Sequence, residues 1–160
     1  MENMNKYILG AGILALLLIL ALFGFSNTDT KTNTQVASAV TVIQDSYDFG
    51  DIDIFGGKVR TTYRLKNEGS DDVLITSAVT SCMCTDGEIG DLTFGMHEST
   101  GNTVVIPARE EKILTAVFDP LAHGPNGTGK IKRELLLTTN STVTPEIKVT
   151  FTGNVIKNEN

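Results

Sequence analysis

From Val40 onward, apolar and polar side chains alternate with a period of two. The pattern is clearest in Lys58–Asn67 and in the final segment, and the positions predicted to face inward are Val59, Thr61, Tyr63, Leu65, Ile147, Val149, Phe151 and Val155. Successive side chains of a β-strand point to opposite faces, so this alternation predicts strands with one buried face. Gly153 interrupts the second series, which indicates a β-bulge.

Shorter segments of the same kind lie between and before these two. They are residues 40–49, 72–80, 103–106, 111–118 and 130–139. Clusters of Gly, Pro, Asn and Asp separate the segments, and no helical period occurs after residue 39. Seven short strands with regular turns predict an all-β fold, an immunoglobulin-like antiparallel β-sandwich over residues 40–156. A small barrel is the alternative.

The amino-terminal part has a different pattern. After a short tail, residues 1–6, come 19 residues without a charge, residues 7–25. At about 1.5 Å per residue they span roughly 28 Å as a helix, close to the roughly 30 Å hydrocarbon core of a bilayer, and predict one transmembrane anchor. A cleaved signal peptide is the alternative, although the only good cleavage motif, Ala37-Ser38-Ala39, lies far downstream.

The segment after the anchor, residues 26–39, is almost entirely small and polar, which predicts a solvated linker. Lys6 and the α-amino group weakly favour a cytoplasmic amino terminus. We therefore expect a single-pass protein of the cell membrane whose carboxy-terminal domain lies outside the cytoplasm.

Charge and composition argue against two classes of function, nucleic-acid binding and catalysis. The formal net charge is −6, and it stays −6 without residues 1–25 because Glu2 and Lys6 cancel. An acidic domain repels phosphate backbones, so nucleic acid is not an expected partner. The two histidines lie in loops without a matching nucleophile motif, which predicts a protein that is not an enzyme.

Cys82 and Cys84 are the residues with evident reactive chemistry. In an extended strand their Cα atoms would lie about 6.6 Å apart, near the upper limit of roughly 6.8 Å for a disulfide, so a bridge requires a bend. Three interpretations stay open: a structural bridge or partly buried thiols, a metal site, and a pair that exchanges electrons with other thiols.

A metal site needs more ligands than two cysteines, because copper(I) or zinc would take additional sulfur or nitrogen donors. Besides Met83, the candidates are Met96, His97 and His123, although each also fits an ordinary loop residue. If the strands run antiparallel in succession, those ending at Thr80 and Phe118 point the same way. The cysteines, a polar insertion at 85–102 and the loop 119–129 would then meet at one end. This inference depends on the short strand at 103–106.

Five landmarks in order carry a family resemblance: Tyr47–Ile52, Leu65–Gly69, Val79–Thr85, Phe118–Pro120 and Val149–Val155. The chain resembles the bacterial domain-of-unknown-function family 1573, which is similar to hydin-like immunoglobulin modules. The resemblance implies a sandwich and a cell-envelope setting, with no established activity. Such domains usually have Gly between the two cysteines, where this chain has Met83.

The sequence therefore predicts a membrane-anchored, extracytoplasmic immunoglobulin-like module that binds another envelope protein or supports an assembly, without catalysis. The alternative is a metal-handling protein, for copper or zinc, or a thiol-redox protein that acts through Cys82 and Cys84.

Overall fold

The structure, a computed structural model, describes residues 34–97 and 99–158 of the chain. The regular elements in these ranges are all strands, and none of the described residues forms a helix long and apolar enough to cross a membrane. The predicted anchor at residues 7–25, like the signal peptide that is its alternative, lies outside the described residues.

Ten strands form two five-stranded sheets. They are β1 Val40–Val42, β2 Ser46–Asp53, β3 Val59–Asn67, β4 Val73–Thr80, β5 Thr85–Ile89, β6 Leu92–Phe94, β7 Ser99–Ile106, β8 Glu111–Phe118, β9 Gly129–Thr139 and β10 Glu146–Ile156. The first sheet has the order β1-β3-β8-β5-β6 and the second the order β2-β10-β9-β4-β7. The all-β prediction is confirmed. The expectation of about seven strands in a purely antiparallel arrangement is wrong, because there are ten and β2 runs parallel to β10.

Two predicted segments were assigned wrongly. The single strand expected at 40–49 is divided between the sheets, because the exposed residues 43–45 carry the chain from β1, paired with β3, to β2, paired with β10. The polar insertion expected at 85–102 contains β5, β6 and the start of β7. Gly87 takes an inward position in β5, where a Cβ would overlap the Phe94 ring, and this glycine hides the alternation of the strand.

The predicted inward faces of β3 and β10 are confirmed. Tyr63, Leu65, Val149 and Phe151 are at most 1% exposed and lie in one core between the sheets. The predicted bulge at Gly153 is also confirmed, since the register of β10 against β2 shifts between Thr152 and Asn154. A Cβ at Gly153 would lie 2.7 Å from Ile52 Cδ1 and 3.3 Å from the Gly50 carbonyl oxygen, so a larger residue here would displace the Ile52 side chain of β2.

Residues 34–39 differ from the predicted solvated linker. Val36 forms a bridge with Ser141, and Ser38 is buried, with its Oγ 2.9 Å from the Asp71 amide that donates to it. Backbone and hydroxyl groups thus find partners that a count of apolar side chains does not reveal. The packed domain therefore includes residues before Val40.

Candidate functional site

The Cys-x-Cys segment is one of the connections between the two sheets. It leaves β4 of the second sheet at Thr80 and enters β5 of the first sheet at Thr85. The Thr80 hydroxyl lies 3.1 Å from the Cys82 carbonyl and 2.9 Å from the Thr85 carbonyl, and it holds this turn from inside. The Asp119 amide, at the end of β8, donates to the Cys84 carbonyl at 2.9 Å. The turn supplies the bend that a bridge requires.

Cys82 and Cys84 are joined in a disulfide, with Cα atoms 5.1 Å apart. Cys84 is 2% exposed and Cys82 is 9% exposed, whereas Met83 between them is 69% exposed. Met83 and, to a small extent, Cys82 are therefore open to solvent, whereas Cys84 is almost entirely buried.

Two nitrogen-bearing side chains contact the two sulfurs, one on each. His123 Nε2, from the β8–β9 loop, lies 3.4 Å from Cys82 Sγ. Arg133 Nε, from β9, donates to Cys84 Sγ at 3.0 Å, and its guanidinium carbon lies 5.9 Å from the centroid of the Phe118 ring. A cationic group beside a sulfur stabilises thiolate, so this arrangement favours the charge that appears when the disulfide is reduced.

The predicted meeting of loops at one end is visible for the cysteines and the 119–129 loop. Thr85 pairs with Phe118 across the first sheet, which places Cys84 beside the start of that loop. The donor atoms of Cys82, Cys84 and His123 lie within 4.8 Å of one another. Met96 follows Gly95, whose carbonyl accepts from the Thr80 amide at 2.8 Å, so this segment is at the same end.

Met96 and His97 are the other two predicted metal ligands. Met96 is 45% exposed, and His97 is also exposed. Among the residues that the structure describes, His97 is not part of a group of His, Cys, Asp or Glu side chains that could hold a metal ion.

Sequence reasoning missed Arg133. It lies directly opposite Phe151 in the β9–β10 ladder, so both side chains are on the inner face of the sheet. The series Arg133, Leu135, Leu137 therefore places a charged residue at an inward position of a strand. That break in the alternation is the signal that could have identified it.

We call this end of the sandwich the cysteine end: residues 54–58, 81–84, 95–97 and 119–128. Its connections carry large apolar side chains that are 45–69% exposed, and these are Phe55, Met83, Met96 and Leu121. Several large exposed apolar side chains in the connections at one end of a domain favour an interaction surface there.

Solved structures share this fold at low sequence identity. A protein of unknown function from Porphyromonas gingivalis W83 matches with a TM-score of 0.58 at 16% identity, over 80% of this chain and 51% of its own, so the chain spans about half of that protein. A family 123 glycoside hydrolase from Clostridium perfringens has a TM-score of 0.54 at 5% identity, over 77% and 28% of the two chains. The ASH/PapD-like domain 7 of human CEP192 has a TM-score of 0.48 at 13% identity, over 84% and 95%.

At such identities the likeness concerns the fold alone. None of the curated proteins matches the sequence. The sequence profile of a family described as "Protein of unknown function (DUF1573)" matches residues 40–155. The resemblance carried by the five landmarks is thereby confirmed, and the chain belongs to the DUF1573 family.

Proposed function

We propose that this chain is a non-catalytic protein-binding module of the cell envelope, anchored by residues 7–25, and that its cysteine end docks the partner protein. The observation that carries the proposal is the exposure of Phe55, Met83, Met96 and Leu121 in neighbouring connections of one end. Methionine is flexible and polarizable, which suits a surface that adapts to a protein partner.

The position of this end in the domain also supports docking. Val40 pairs with Asn67, at one end of β3, whereas Val59 at the other end pairs with Phe118. From Glu111 to Phe118, β8 makes seven steps of about 3.3 Å, so roughly 23 Å separate the two ends. The cysteine end is thus remote from the strand at which the predicted domain starts.

Photocrosslinking in native membranes tests the proposal. A photoreactive amino acid at Met83 or Leu121 of the full chain should yield one main crosslinked protein, identified by mass spectrometry. Ile113 and Val143 are matched controls, because they are apolar and 47% and 59% exposed but lie outside the cysteine end. Equal crosslinking from the controls, or none from Met83 and Leu121, would contradict a docking surface at this end.

The contacts of the two sulfurs favour a second candidate function, thiol–disulfide exchange with a partner protein. A partner thiolate would attack the Sγ of Cys82, the more exposed of the two cysteines, and form a mixed disulfide while the Cys82–Cys84 bond breaks. The electron pair would pass to Cys84 Sγ, where the Arg133 Nε–H at 3.0 Å stabilises the leaving thiolate. A dithiol partner would complete the exchange with its second thiol and leave both cysteines reduced.

Trapping of mixed disulfides tests this exchange. With Cys84→Ser, Cys82 stays available and a mixed disulfide cannot be resolved internally, so adducts should accumulate in cells. With Cys82→Ser, the remaining thiol is nearly buried and adducts should be several-fold rarer. Adducts that favour the Cys82→Ser variant would contradict the direction of attack, and an absence of adducts from both variants would remove exchange as a function.

A further inference from the structure

The cysteine end contains three metal-ligating side chains whose donor atoms lie within 4.8 Å of one another, namely Cys82, Cys84 and His123. We infer that the reduced chain binds one copper(I) ion between the two thiolates and His123 Nε2. This inference does not depend on the docking surface, since the crosslinking experiment and copper binding report on different properties.

The geometry already suits one sulfur and the nitrogen. For a metal about 2.3 Å from sulfur and about 2.0 Å from nitrogen, tetrahedral to trigonal angles place the two donors about 3.5–3.8 Å apart. His123 Nε2 lies 3.4 Å from Cys82 Sγ. A metal ion could therefore bind both donors with a shift of only a few tenths of an ångström.

The second sulfur reaches the same point after reduction. A dithiol reductant donates two electrons and two protons, so that it becomes a disulfide while Cys82 and Cys84 become thiols. With their Cα atoms 5.1 Å apart, side-chain rotation can separate the sulfurs to roughly 4 Å, the spacing of two ligands on one ion. Binding of the ion then releases the two thiol protons.

Charge and coordination number select copper(I). The formal charges of the site with copper(I) sum to zero, because the two thiolates offset the ion and Arg133, which donates to Cys84 Sγ. Zinc in the same place would leave a net charge of plus one. Cys84 is 2% exposed, and burial disfavours a net charge. Soft thiolates suit copper(I), and zinc normally takes a fourth ligand. Arg133 would act in the outer shell, where hydrogen bonds orient the ligands.

An anaerobic titration of the full chain in detergent tests the inference. The chain is reduced with a dithiol, separated from it, and titrated with copper(I) held by a colorimetric chelator. We expect one ion per reduced chain, none per oxidised chain, and an X-ray absorption spectrum with two sulfur ligands and one nitrogen ligand. His123→Ala should weaken binding at least tenfold, by comparison with the tenfold to hundredfold cost of outer-shell changes at other metal sites.

His97→Ala is the matched control, because His97 is also an exposed histidine but is not part of this group. It should leave the affinity unchanged, and the double variant Cys82→Ser, Cys84→Ser should not bind copper. Equal losses in the two histidine variants, equal binding by the oxidised chain, or tighter binding of zinc than of copper(I) would overturn the inference. The comparison of oxidised and reduced wild-type chains needs no substitution, so the test holds even if the double variant does not fold.

Discussion

At the end of the sandwich opposite the cysteines, two buried asparagine side chains bond backbone groups, whereas at the cysteine end His123 contacts a sulfur, as does Arg133 of the adjoining β9. We call the former the asparagine end: residues 34–40, 67–72, 106–110 and 139–145. There Asn67 donates to the carbonyls of Asp71 and Ile106, both at 2.9 Å, and accepts from the Gly69 amide. Asn140 likewise accepts from the Leu74 amide at 2.8 Å.

The difference separates polar groups that bond the backbone from polar groups that contact a disulfide. Asn67 is itself buried, and its three contacts satisfy backbone groups of the turn after β3 and of the neighbouring β7, so this side chain stabilises the turn. At the cysteine end, Arg133 and His123 contact sulfur atoms whose charge changes on reduction, and His123 is exposed. Substitutions at the asparagine end should therefore change stability, and those at the cysteine end should change thiol or metal chemistry.

The largest expected effect concerns the core that supports both ends. Phe151 is fully buried, and its ring centroid lies 5.5 Å from that of Phe49 and 5.7 Å from that of Phe118. Phe151→Ala should lower the free energy of unfolding by about 3–5 kcal/mol, measured by chemical denaturation. Phe55→Ala, at a side chain 60% exposed, is the control and should cost under about 0.5 kcal/mol. A loss below about 1 kcal/mol for Phe151→Ala would show that the ring is not a core element.

Several features of this core were predictable from sequence. The alternation in β3 and β10 identified Tyr63, Leu65 and Phe151 as inward residues, because a buried strand face leaves a direct pattern in the chain. The parallel pairing of β2 with β10 leaves no such pattern, since it joins segments about a hundred residues apart. Strand β5 was missed because its inward positions include Gly87, which has no apolar side chain to count, and β6 because three residues are too few to show an alternation.

The site was predictable to a similar degree. The cysteines stood out by their chemistry, and strand direction placed the loop of His123 beside them. Arg133 was missed because the run Lys130–Glu134 resembles a charged, solvent-exposed strand. The pairing with Phe151 places Arg133 on the inner face, and that pairing is a tertiary fact.

The next effect is a dependence of stability on alkaline pH. Tyr63 OH donates to the Thr150 carbonyl at 2.8 Å and so links the sheets between the two ends. Burial, with a smaller contribution from the charge of Asp45, raises the pKa of Tyr63 to about 12. A phenol whose pKa is higher in the folded state than in the unfolded state contributes to the stability of the folded state. This contribution is complete below the unfolded-state pKa of about 10, and it is lost as the pH rises through the folded-state pKa of about 12.

At about 1.4 kcal/mol for each pH unit between the two pKa values, the loss of unfolding free energy reaches up to about 2.7 kcal/mol. Denaturation measured from pH 9 to pH 12 should show the greater part of this decline in the wild type, and Tyr63→Phe should remove most of it. Tyr47→Phe, at a side chain 40% exposed, should retain it. An unchanged decline in Tyr63→Phe would assign the pH dependence to other groups.

A somewhat smaller effect is expected from Asn67 at the asparagine end. Asn67→Ala removes three hydrogen bonds to backbone groups, of which the one to the Ile106 carbonyl is buried, and should cost about 1–3 kcal/mol. Asn126→Ala, at an exposed side chain that accepts from Lys157, is the control and should change stability by under about 0.5 kcal/mol. Neither change should alter the reduction potential of the disulfide. A shift in potential with Asn67→Ala would mean that the two ends are coupled.

The smallest effect in free energy is the one most specific to the cysteine end. A hydrogen bond to a thiolate is stronger than one to a neutral sulfur by roughly 1 kcal/mol, so Arg133 should stabilise the reduced pair more than the oxidised pair. Arg133→Met should therefore lower the reduction potential by about 20–30 mV, since about 30 mV corresponds to about 1.4 kcal/mol for a two-electron couple. Equilibration with a glutathione redox buffer measures this shift.

The control is Lys132→Met. It removes the neighbouring charge, which is paired with Glu134 rather than with sulfur, and should leave the potential unchanged. Equal shifts in both variants would assign the effect to overall charge rather than to the contact between Arg133 and Cys84.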